Sequence, residues 1–367
     1  MSASRKRVAW FATKGSGTNE ALRIQTLLSG LADVDIVELP FDKGAKLSSA
    51  KKLWAEVRKT NPDLLVMEGT GIAGGAVCLL SKLLKGIPFV FSSGDAVGPY
   101  VASHAPLLGW AFALYERILC RWCSGFIGWT PYLVGRALTF GAPRGMTAAG
   151  WVIGSEQHKA SRVEVRSRWG VPQDHLVVGL VGNLQWNANR HCCYGWDLVQ
   201  AIQRIERRDL SVVIVGDGSG LPKLREAAGA LLDKCIFLSG PVPLDEVMNV
   251  LSAVDVASLP QSMDGVGMFR YTTKFPEYAA AGLPIVTNQT PAAYDLGGDW
   301  IWRLKGAAPW DALYLDALVA WMNGLSREDV NTKSAAVPRS MVNFNRQDQV
   351  RRTKNFIEDI LGSSGKD

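Results

Sequence analysis

The sequence contains few of the residues that mark metal and redox proteins. Four of its 367 residues are histidine, and its six cysteines are scattered along the chain. The CxxC pattern from Cys120 to Cys123 has no second cysteine pair and no neighbouring histidine, and it lies in an apolar helical pattern. We therefore interpret the cysteines as buried thiols rather than as zinc or redox groups.

Long uncharged apolar runs are also missing. The longest apolar stretches, Leu64–Leu84 and Pro106–Trp129, are interrupted by charged residues such as Glu68 and Arg117. A membrane-spanning helix needs about 20 nearly uncharged residues, and no apolar run near the N-terminus has the length of a signal peptide. We expect no transmembrane segment and a cytoplasmic location, with the inner face of the membrane as a second option.

Positive charge is in mild excess. Lysine and arginine total 40 and aspartate and glutamate 34, which gives a net charge of +6. This balance suits an anionic partner such as a sugar nucleotide or a lipid phosphate. No arginine-rich arm or recognition module is visible, so we expect no nucleic-acid partner. The apolar fraction of 47% and the chain length suit two globular domains.

Strand and helix patterns alternate twice along the chain. Five short apolar or β-branched runs in each half are predicted as strands, with helices of about 10–15 residues between them. The strands are predicted at residues 7–12, 34–39, 63–67, 87–92 and 125–129, and again at 176–182, 211–216, 234–238, 254–259 and 284–287. This pattern indicates an α/β fold with two doubly wound, Rossmann-like parallel sheets, and a central cleft where ligands bind.

Changes in composition divide the chain into four parts. We predict an N-terminal domain at residues 1–154, a polar linker at 155–174, a C-terminal domain at 175–340 and a terminal helix at 341–367. The terminal helix is charged and amphipathic, with its apolar residues on roughly one face. It must pack against a surface, and we favour the N-terminal domain.

The segment at residues 271–287, YTTKFPEYAAAGLPIVT, is the most informative one. It is predicted as a short loop, a helix and a buried strand. Thr272 and Thr273 are suitable N-caps, and a helix N-terminus presents free N–H groups to a diphosphate. Lys274 adds a cation, and Glu277 lies about one turn further on, where it can accept hydrogen bonds from two ribose hydroxyls. A plain capped helix is the alternative.

Residues 274–286, KFPEYAAAGLPIV, resemble the nucleotide-binding signature of retaining GT-B glycosyltransferases, especially those of family 4. Four other stretches resemble the family in the same order: 151–154, 167–184, 213–226 and 240–260. The resemblance implies a GT-B fold, with Glu277 at the ribose and Lys274 near the diphosphate. It also implies a donor site lined by Gly182, Asn183, Gly216, Pro241 and Val242.

Two departures from the family pattern leave alternatives open. Many members carry a first glutamate eight residues before the second, but Phe269 stands there. Either Asp264 takes that role, or this chain uses the second glutamate alone, which we favour. The usual Lys-Gly after the first strand of the second domain is also missing. Arg190 or Arg270 is a candidate for the missing cation, with a surface arginine as the alternative for each.

The N-terminal half contributes a glycine-rich turn, KGSGTNE, at residues 14–20. Gly15 and Gly17 would let the backbone approach a phosphate or sugar closely. The turn resembles the glycine-rich first loop of GT-B enzymes, which lies under the donor phosphates or the acceptor. A tight turn without a ligand is the alternative.

Three further residues of this half are candidates for the acceptor or the donor sugar. Asp95 follows a buried strand at the place of a family aspartate, which implies that it orients the acceptor hydroxyl or the donor sugar. His104 is either a substitute for the missing family histidine or a structural residue. Glu68 also follows a strand, as an acceptor contact or a cap.

Aromatic and basic residues alternate on an apolar helical pattern, which suits a lipid interface or an ordinary core helix. They are Trp110, Arg117, Arg121, Trp122 and Trp129, followed by Arg136 and Arg144.

Together these features predict a metal-independent glycosyltransferase that uses a nucleotide-sugar donor and no cofactor, and the family resemblance implies that it retains the anomeric configuration. Lys274, with Arg190 or Arg270, would stabilise the departing nucleoside diphosphate. The acceptor would be a carbohydrate or a lipid-linked sugar in polysaccharide or glycolipid synthesis. The alternatives are an epimerase or phosphorylase of the same fold and a non-catalytic nucleotide-sugar-binding protein. The base, the sugar and the acceptor stay open.

Overall fold

The computed structural model describes residues 5–151 and 161–363. The chain forms two compact units. The first unit comprises Met1–Trp151, Phe269–Tyr271 and Asn343–Asp367, and the second comprises Val152–Met268 and Thr272–Val342.

A six-stranded parallel sheet with the order β2-β1-β3-β4-β5-β6 forms the centre of the first unit. Its strands are β1 (Lys6–Ala12), β2 (Val34–Glu38), β3 (Leu64–Glu68), β4 (Phe89–Ser93), β5 (Gly125–Gly128) and β6 (Gly145–Thr147). The connecting helices are α1 (Asn19–Leu28), α2 (Lys46–Thr60), α3 (Ile72–Lys85), α4 (Val97–Ala102), α5 (Gly109–Trp122) and α6 (Pro131–Thr139).

The central strands of this sheet are apolar throughout because both faces are covered. Every residue of β3 and β4 is buried, as expected for parallel strands between two helical layers. Phe11, Phe89 and Phe91 belong to one core. Trp10 and Ile24 belong to a second core. The sheet therefore holds the loops at the carboxyl ends of its strands on a rigid base.

The second unit is also built on a six-stranded parallel sheet, with the order β12-β11-β10-β7-β8-β9. Its strands are β7 (Leu176–Val181), β8 (Leu210–Val215), β9 (Ile236–Gly240), β10 (Val256–Leu259), β11 (Ile285–Asn288) and β12 (Ile301–Leu304). Its helices are α7 (Arg162–Trp169), α8 (Trp196–Ile202), α9 (Leu221–Ala228), α10 (Val247–Ser252), α11 (Lys274–Ala280), α12 (Pro291–Asp295), α13 (Ala312–Gly324) and α14 (Arg327–Ala335).

The last helix, α15 (Arg346–Ser363), lies in the first unit. Its Ile357, Ile360 and Leu361 are buried in the same core as Ile24 of α1. The helix begins later than the sequence pattern predicted, because Asn345 caps it by accepting the N–H of Asp348 through its side-chain oxygen at 3.0 Å.

Two short strands and one helix, β6, β12 and α7, lie where the sequence predicted no element. β6 and β12 are three and four residues long and largely half-buried, so neither forms an apolar run that sequence patterns detect. The predicted linker at 155–174 contains α7, which begins with a capping box between Ser161 and Glu164. The first part of that linker, up to residue 160, lies outside the described residues.

Candidate functional site

Helix α11 presents the two predicted donor-binding residues on one face. Phe275 and Tyr278 are completely buried, and the Tyr278 hydroxyl accepts the N–H of Val181 at 3.4 Å. Burial raises the pKa of Tyr278 well above its usual range. Lys274 and Glu277, three residues apart, share the other face because this spacing places side chains one turn apart.

Lys274 and Glu277 form an ion pair with each other. The Lys274 Nζ lies 2.6 Å from the Glu277 Oε2, and the two side chains are 25% and 15% exposed. Their common location on one helical turn places a cation and a carboxylate side by side. A ribose bound by Glu277 would therefore exchange part of this ion pair for hydroxyl hydrogen bonds.

The N-terminus of α11 differs from the prediction that it presents free N–H groups. The Thr272 hydroxyl accepts the N–H of Lys274 at 3.0 Å, and the Thr272 carbonyl accepts the N–H of Phe275 at 3.1 Å. Pro276 has no N–H to donate. Thr273 is the N-cap residue, but its side chain makes no capping hydrogen bond. The charge of Lys274, rather than this seven-residue helix end, is thus the feature that suits an anion.

The loops that follow β7, β8 and β9 touch through their backbones. The N–H of Gly216 donates to the Gly240 carbonyl at 3.0 Å. A Cβ atom on Gly216 would lie 1.8 Å from the Gly182 carbonyl oxygen, and the Gly216 φ of 142° is one that other residues rarely adopt. Predicted donor residues therefore adjoin one another here. Next to them in the chain stand Asn183 and Pro241, which are exposed, and Val242, which is half-buried.

The two candidates that the sequence left open in this unit, Arg190 and Asp264, are partners. The Arg190 Nη2 lies 2.7 Å from the Asp264 Oδ2, and its guanidinium lies 4.2 Å from the ring centre of Trp310. Burial acts to raise the pKa of Asp264, but the N–H groups of Gly267 and Val266 and the charge of Arg190 hold it below its usual value. Arg190 is therefore paired with Asp264, and its contact with Trp310 is one that no motif predicted.

Glu68 is an interior residue, and the interpretation as an acceptor contact is wrong. The Arg23 Nη1 lies 2.9 Å from the Glu68 Oε2, and the Trp129 Nε1 donates to the Glu68 Oε1 at 3.3 Å. The Arg23 guanidinium lies 4.4 Å from the Trp129 ring centre. Both charged side chains are almost fully buried. Burial raises the pKa of Glu68, and the charge of Arg23 opposes that rise.

Arg23 is a structural residue that the sequence interpretation missed. Its position four residues before Leu27 places it on the buried face of α1. A charged residue at an apolar helical position is the signal that could have identified it.

Asp95 and Arg270 are brought together in the first unit. The Arg270 Nε lies 2.6 Å from the Asp95 Oδ1. Arg270, which the sequence analysis gave as a candidate donor-site cation, belongs to the first unit. His104 is exposed, and its Nδ1 contacts the Ser103 hydroxyl and the Tyr100 carbonyl at 2.9 and 3.1 Å. Those local contacts agree with its structural interpretation.

The glycine-rich turn connects β1 to α1. Gly15 and Gly17 have φ values of 105° and 74°, which explains the two glycines. Thr18 caps α1 by accepting the N–H of Ala21 at 3.3 Å. Lys14 forms an ion pair with Glu20 across the turn. The turn is therefore well formed by its own contacts.

Helix α5 and the turn before it carry exposed apolar side chains. Leu107 and Trp110 are 86% and 72% exposed. A cavity of about 410 Å³ on this surface is lined by Leu114, Arg117, Ile118, Arg121, Trp122, Thr139 and Phe140. Trp129 does not belong to this surface because it packs on Arg23, and Arg136 pairs with Glu116 at 2.8 Å. Within residues 5–151 and 161–363, no helix has the length and apolar character needed to cross a membrane.

Comparison with known proteins finds a family match in the second unit. Residues 175–300 match the family described as glycosyl transferases group 1, and this range includes β7, β11 and the Lys274–Glu277 pair. The resemblance inferred from the sequence is therefore confirmed for this part of the chain.

Two curated relatives are 29% identical to the chain. They are a 2-deoxystreptamine glucosyltransferase of Streptomyces kanamyceticus, over 150 residues, and a D-inositol 3-phosphate glycosyltransferase of Corynebacterium jeikeium, over 149 residues. The matches cover 39% and 38% of this chain and 34% of each relative. The match therefore spans about a third of the length of these relatives.

Solved structures share the fold over almost the whole chain. HepE of Anabaena, solved in complex with UDP, has a TM-score of 0.67 at 14% identity and covers 97% of this chain and 100% of its own. Sucrose-phosphate synthase of Thermosynechococcus elongatus has a TM-score of 0.65 at 12% identity, over 98% and 100% of the two chains. The predicted α/β, GT-B fold class is confirmed.

Proposed function

We propose that this chain, whose residues 175–300 belong to glycosyl transferases group 1, is a retaining glycosyltransferase. It moves a hexosyl group from a nucleoside-diphosphate sugar to a hydroxyl acceptor in polysaccharide or glycolipid synthesis. The observation that carries the proposal is the Lys274–Glu277 ion pair on α11, within the matched range. Its geometry suits a nucleoside diphosphate because it offers a cation for phosphate beside a carboxylate for ribose.

Each residue has a defined part in the proposed reaction. Glu277 accepts hydrogen bonds from the ribose hydroxyls. Lys274 and Arg190 stabilise the negative charge that develops on the departing diphosphate, and Asp95 orients the acceptor hydroxyl. These cations make the proposed reaction independent of a metal. In the described part of the chain, no three His, Cys, Asp or Glu side chains are grouped as a metal site.

Uracil is the base that we propose to test first. HepE, which shares the fold, was solved with UDP and also with UDP and glucose. At 14% identity this similarity supports a choice of probe and no more.

Calorimetric titration with UDP, GDP, ADP and TDP tests the donor site. One nucleotide, which we expect to be UDP, should bind with a Kd in the micromolar range, on the order of −8 kcal/mol. Glu277→Ala should weaken that binding about tenfold or more, because it removes the ribose contact. Glu328→Ala, at an exposed position of α14, is the matched control. Equal binding by Glu277→Ala and the wild type, or no binding at all, would refute the assignment.

Product analysis separates the proposed transfer from its alternatives. A transferase should join the sugar to an added acceptor with the anomeric configuration of the donor retained. A similar fold occurs in a UDP-N-acetylglucosamine 2-epimerase-like protein of Listeria monocytogenes, with a TM-score of 0.56. Interconversion of the donor sugar without an acceptor would therefore support the epimerase alternative, and nucleotide binding without turnover would support a binding protein.

We also propose that the exposed surface of α5 contacts an anionic membrane. Apolar side chains with neighbouring arginines suit the boundary between acyl chains and anionic headgroups. The chain should sediment with vesicles containing phosphatidylglycerol more than with pure phosphatidylcholine vesicles. Trp110→Glu should abolish this binding, whereas Leu313→Glu, at an exposed position of α13, should not. Equal sedimentation of both variants with the vesicles would contradict the proposal.

A further inference from the structure

The three-residue segment Phe269–Tyr271 belongs to the first unit, although the residues on both sides of it belong to the second. Two contacts fix its ends. The Thr130 hydroxyl donates to the Phe269 carbonyl at 2.8 Å, and the buried Tyr271 packs edge-on against Tyr132 with ring centres 5.5 Å apart. Arg270 is therefore held between two anchored neighbours.

The guanidinium of Arg270 is directed at the Asp95 carboxylate. The 2.6 Å contact joins side chains that are 34% and 35% exposed, so the pair is reachable from solvent. The Asp95 backbone is fixed as well, because its N–H donates to the Ser93 hydroxyl at 3.3 Å and its carbonyl accepts from that hydroxyl at 2.8 Å. The position of the carboxylate is thus set from both sides.

The charged side chains at the carboxyl ends of the central strands β1, β3 and β4 form ion pairs with side chains of opposite charge. Residues 13–20, 69–71 and 94–96 connect β1, β3 and β4 to the following helices, and they contain one basic residue, Lys14. The ion pairs at these strand ends are Lys14–Glu20, Arg23–Glu68 and Arg270–Asp95.

Other lysines stand at a distance from this cluster. Lys43 and Lys46 follow β2, which is the edge strand, and two strands separate β2 from β4. At roughly 4.8 Å per strand, this places them about 14 Å across the sheet from the β4 end. A phosphate group bound at β4 would lie beside the Asp95 carboxylate and far from these lysines.

We propose that Arg270 positions Asp95 to accept the hydroxyl hydrogen of an uncharged sugar acceptor. This inference rests on the proposed function and names the acceptor class of that site. Asp95 would touch the acceptor, whereas Arg270 acts through Asp95 and makes no donor contact. A phosphorylated acceptor is disfavoured because the Asp95 carboxylate would repel its phosphate, and the lysines after β2 lie too far away to offset that repulsion.

The proposed transfer forms one bond, breaks one bond and releases one proton. The acceptor oxygen forms a bond to the anomeric carbon, and the bond from that carbon to the diphosphate oxygen breaks. The electron pair of that bond leaves with the diphosphate. Asp95 takes the hydroxyl proton and releases it to solvent, so no oxidant, reductant or further reactant is needed.

Variants of the pair test the positioning role by separating turnover from nucleotide binding. With UDP-glucose as donor and water as acceptor, Arg270→Gln should lower the hydrolysis rate by about 100-fold, because the carboxylate loses its fixed position. Arg270→Lys should recover part of the rate. The Kd for UDP should change by no more than about twofold in both variants, because Arg270 makes no contact with the donor in this proposal and independent sites affect each other by no more than about this amount.

A double-mutant cycle of Arg270 with Asp95, and a control substitution at Arg190, complete the test. In the Asp95→Asn background, Arg270→Gln should cause little further loss, because Arg270 acts through Asp95. Arg190→Gln, which also removes an arginine paired with an aspartate, should weaken UDP binding instead. Additive losses in the cycle, or weaker UDP binding by Arg270→Gln, would overturn the inference.

The acceptor class is tested with methyl glycosides and the corresponding sugar 6-phosphates. The wild type should transfer glucose to an uncharged glycoside at least about tenfold faster than to its phosphate. Faster transfer to the phosphates would overturn the inference but leave the proposed function intact. Failure of UDP to bind to the wild type would instead refute the proposed function itself.

Discussion

The Arg166 guanidinium lies 2.8 Å from the Asp255 carboxylate in the interior of the second unit. The Arg166 Nε also donates to the Ala253 carbonyl at 2.9 Å, and its Nη1 donates to the Gln173 carbonyl at 3.0 Å. The Asp255 Oδ2 accepts the N–H of Val177 at 2.8 Å. Helix α7 is therefore fastened to the sheet of this unit by a buried charge network.

Arg166→Met should destabilise the protein by about 3 kcal/mol, since removal of one partner from a buried pair leaves an uncompensated charge. The loss should lie near the lower end of the usual range because Arg162 still contacts Asp255 at 2.6 Å. Urea denaturation of the full chain measures it. Arg168→Met, at an exposed position of the same helix, should change the unfolding free energy little. Equal effects of the two substitutions would contradict the assigned role of Arg166.

Gly216→Ala should damage the loops at the donor edge of the second unit. A methyl group there would meet the Gly182 carbonyl oxygen at 1.8 Å and strain a φ of 142°. We expect a loss of roughly 1–3 kcal/mol in stability, with weaker UDP binding because both loops must move. Thermal unfolding and calorimetry measure the two effects.

Gly135→Ala is the matched control for this substitution. Gly135 lies inside α6, and a Cβ atom there would meet no atom within 4 Å. Alanine should stabilise that helix by about 0.5–1 kcal/mol. If Gly216→Ala left stability and UDP binding as little changed as Gly135→Ala does, the close approach of Gly216 to the Gly182 carbonyl would not require a glycine.

Glu68→Gln should lower stability by about 3 kcal/mol, because it leaves the buried Arg23 without its carboxylate. Thermal unfolding should show this loss, while the Kd for UDP stays unchanged. Glu20→Gln breaks the more exposed Lys14–Glu20 pair and should cost less than about 1 kcal/mol. If Glu68→Gln raised the KM for the acceptor while leaving the thermal unfolding unchanged, Glu68 would be an acceptor contact instead.

The repeating strand and helix pattern predicted most of the fold, because apolar parallel strands between helices form short, distinctive runs. All ten predicted strands are present, with ends shifted by one or two residues. β6 and β12 escaped prediction since they are short and only partly buried. α7 escaped prediction because one of its two buried residues is an arginine, whose partner Asp255 lies 89 residues away in the sequence.

The site could be predicted only where it is local in sequence. Lys274 and Glu277 lie within one helical turn, so their spacing alone placed them on one face. The partners Arg270 and Asp95 are 175 residues apart, and no local pattern joins them. Sequence analysis therefore left Arg270 as a candidate donor-site cation without indicating its pairing with Asp95.

Asp197 should make the stability of the protein depend on pH. It lies at the start of α8 with almost no exposed surface, near Cys192, Cys193 and Tyr314. Burial raises the pKa of its carboxyl to about 7 from an ordinary 3.8, although the backbone N–H groups of Leu198 and Asp197 act to lower it. Between these two values the unfolded chain releases a proton that the folded chain retains.

Stability should therefore fall as pH rises from about 4 to about 7, by roughly 1.4 kcal/mol per pH unit, and change no further above that range. Asp197→Asn removes the titrating group, so the variant should gain about 2–3 kcal/mol relative to the wild type between pH 5 and pH 8. Urea denaturation at both pH values measures this gain. Asp316→Asn, at an exposed position of α13, should show no such change. A gain for Asp197→Asn that grew toward acidic pH would mean that the carboxylate is stabilised by the fold, since a buried acid that favours its protonated form must cost stability on the alkaline side.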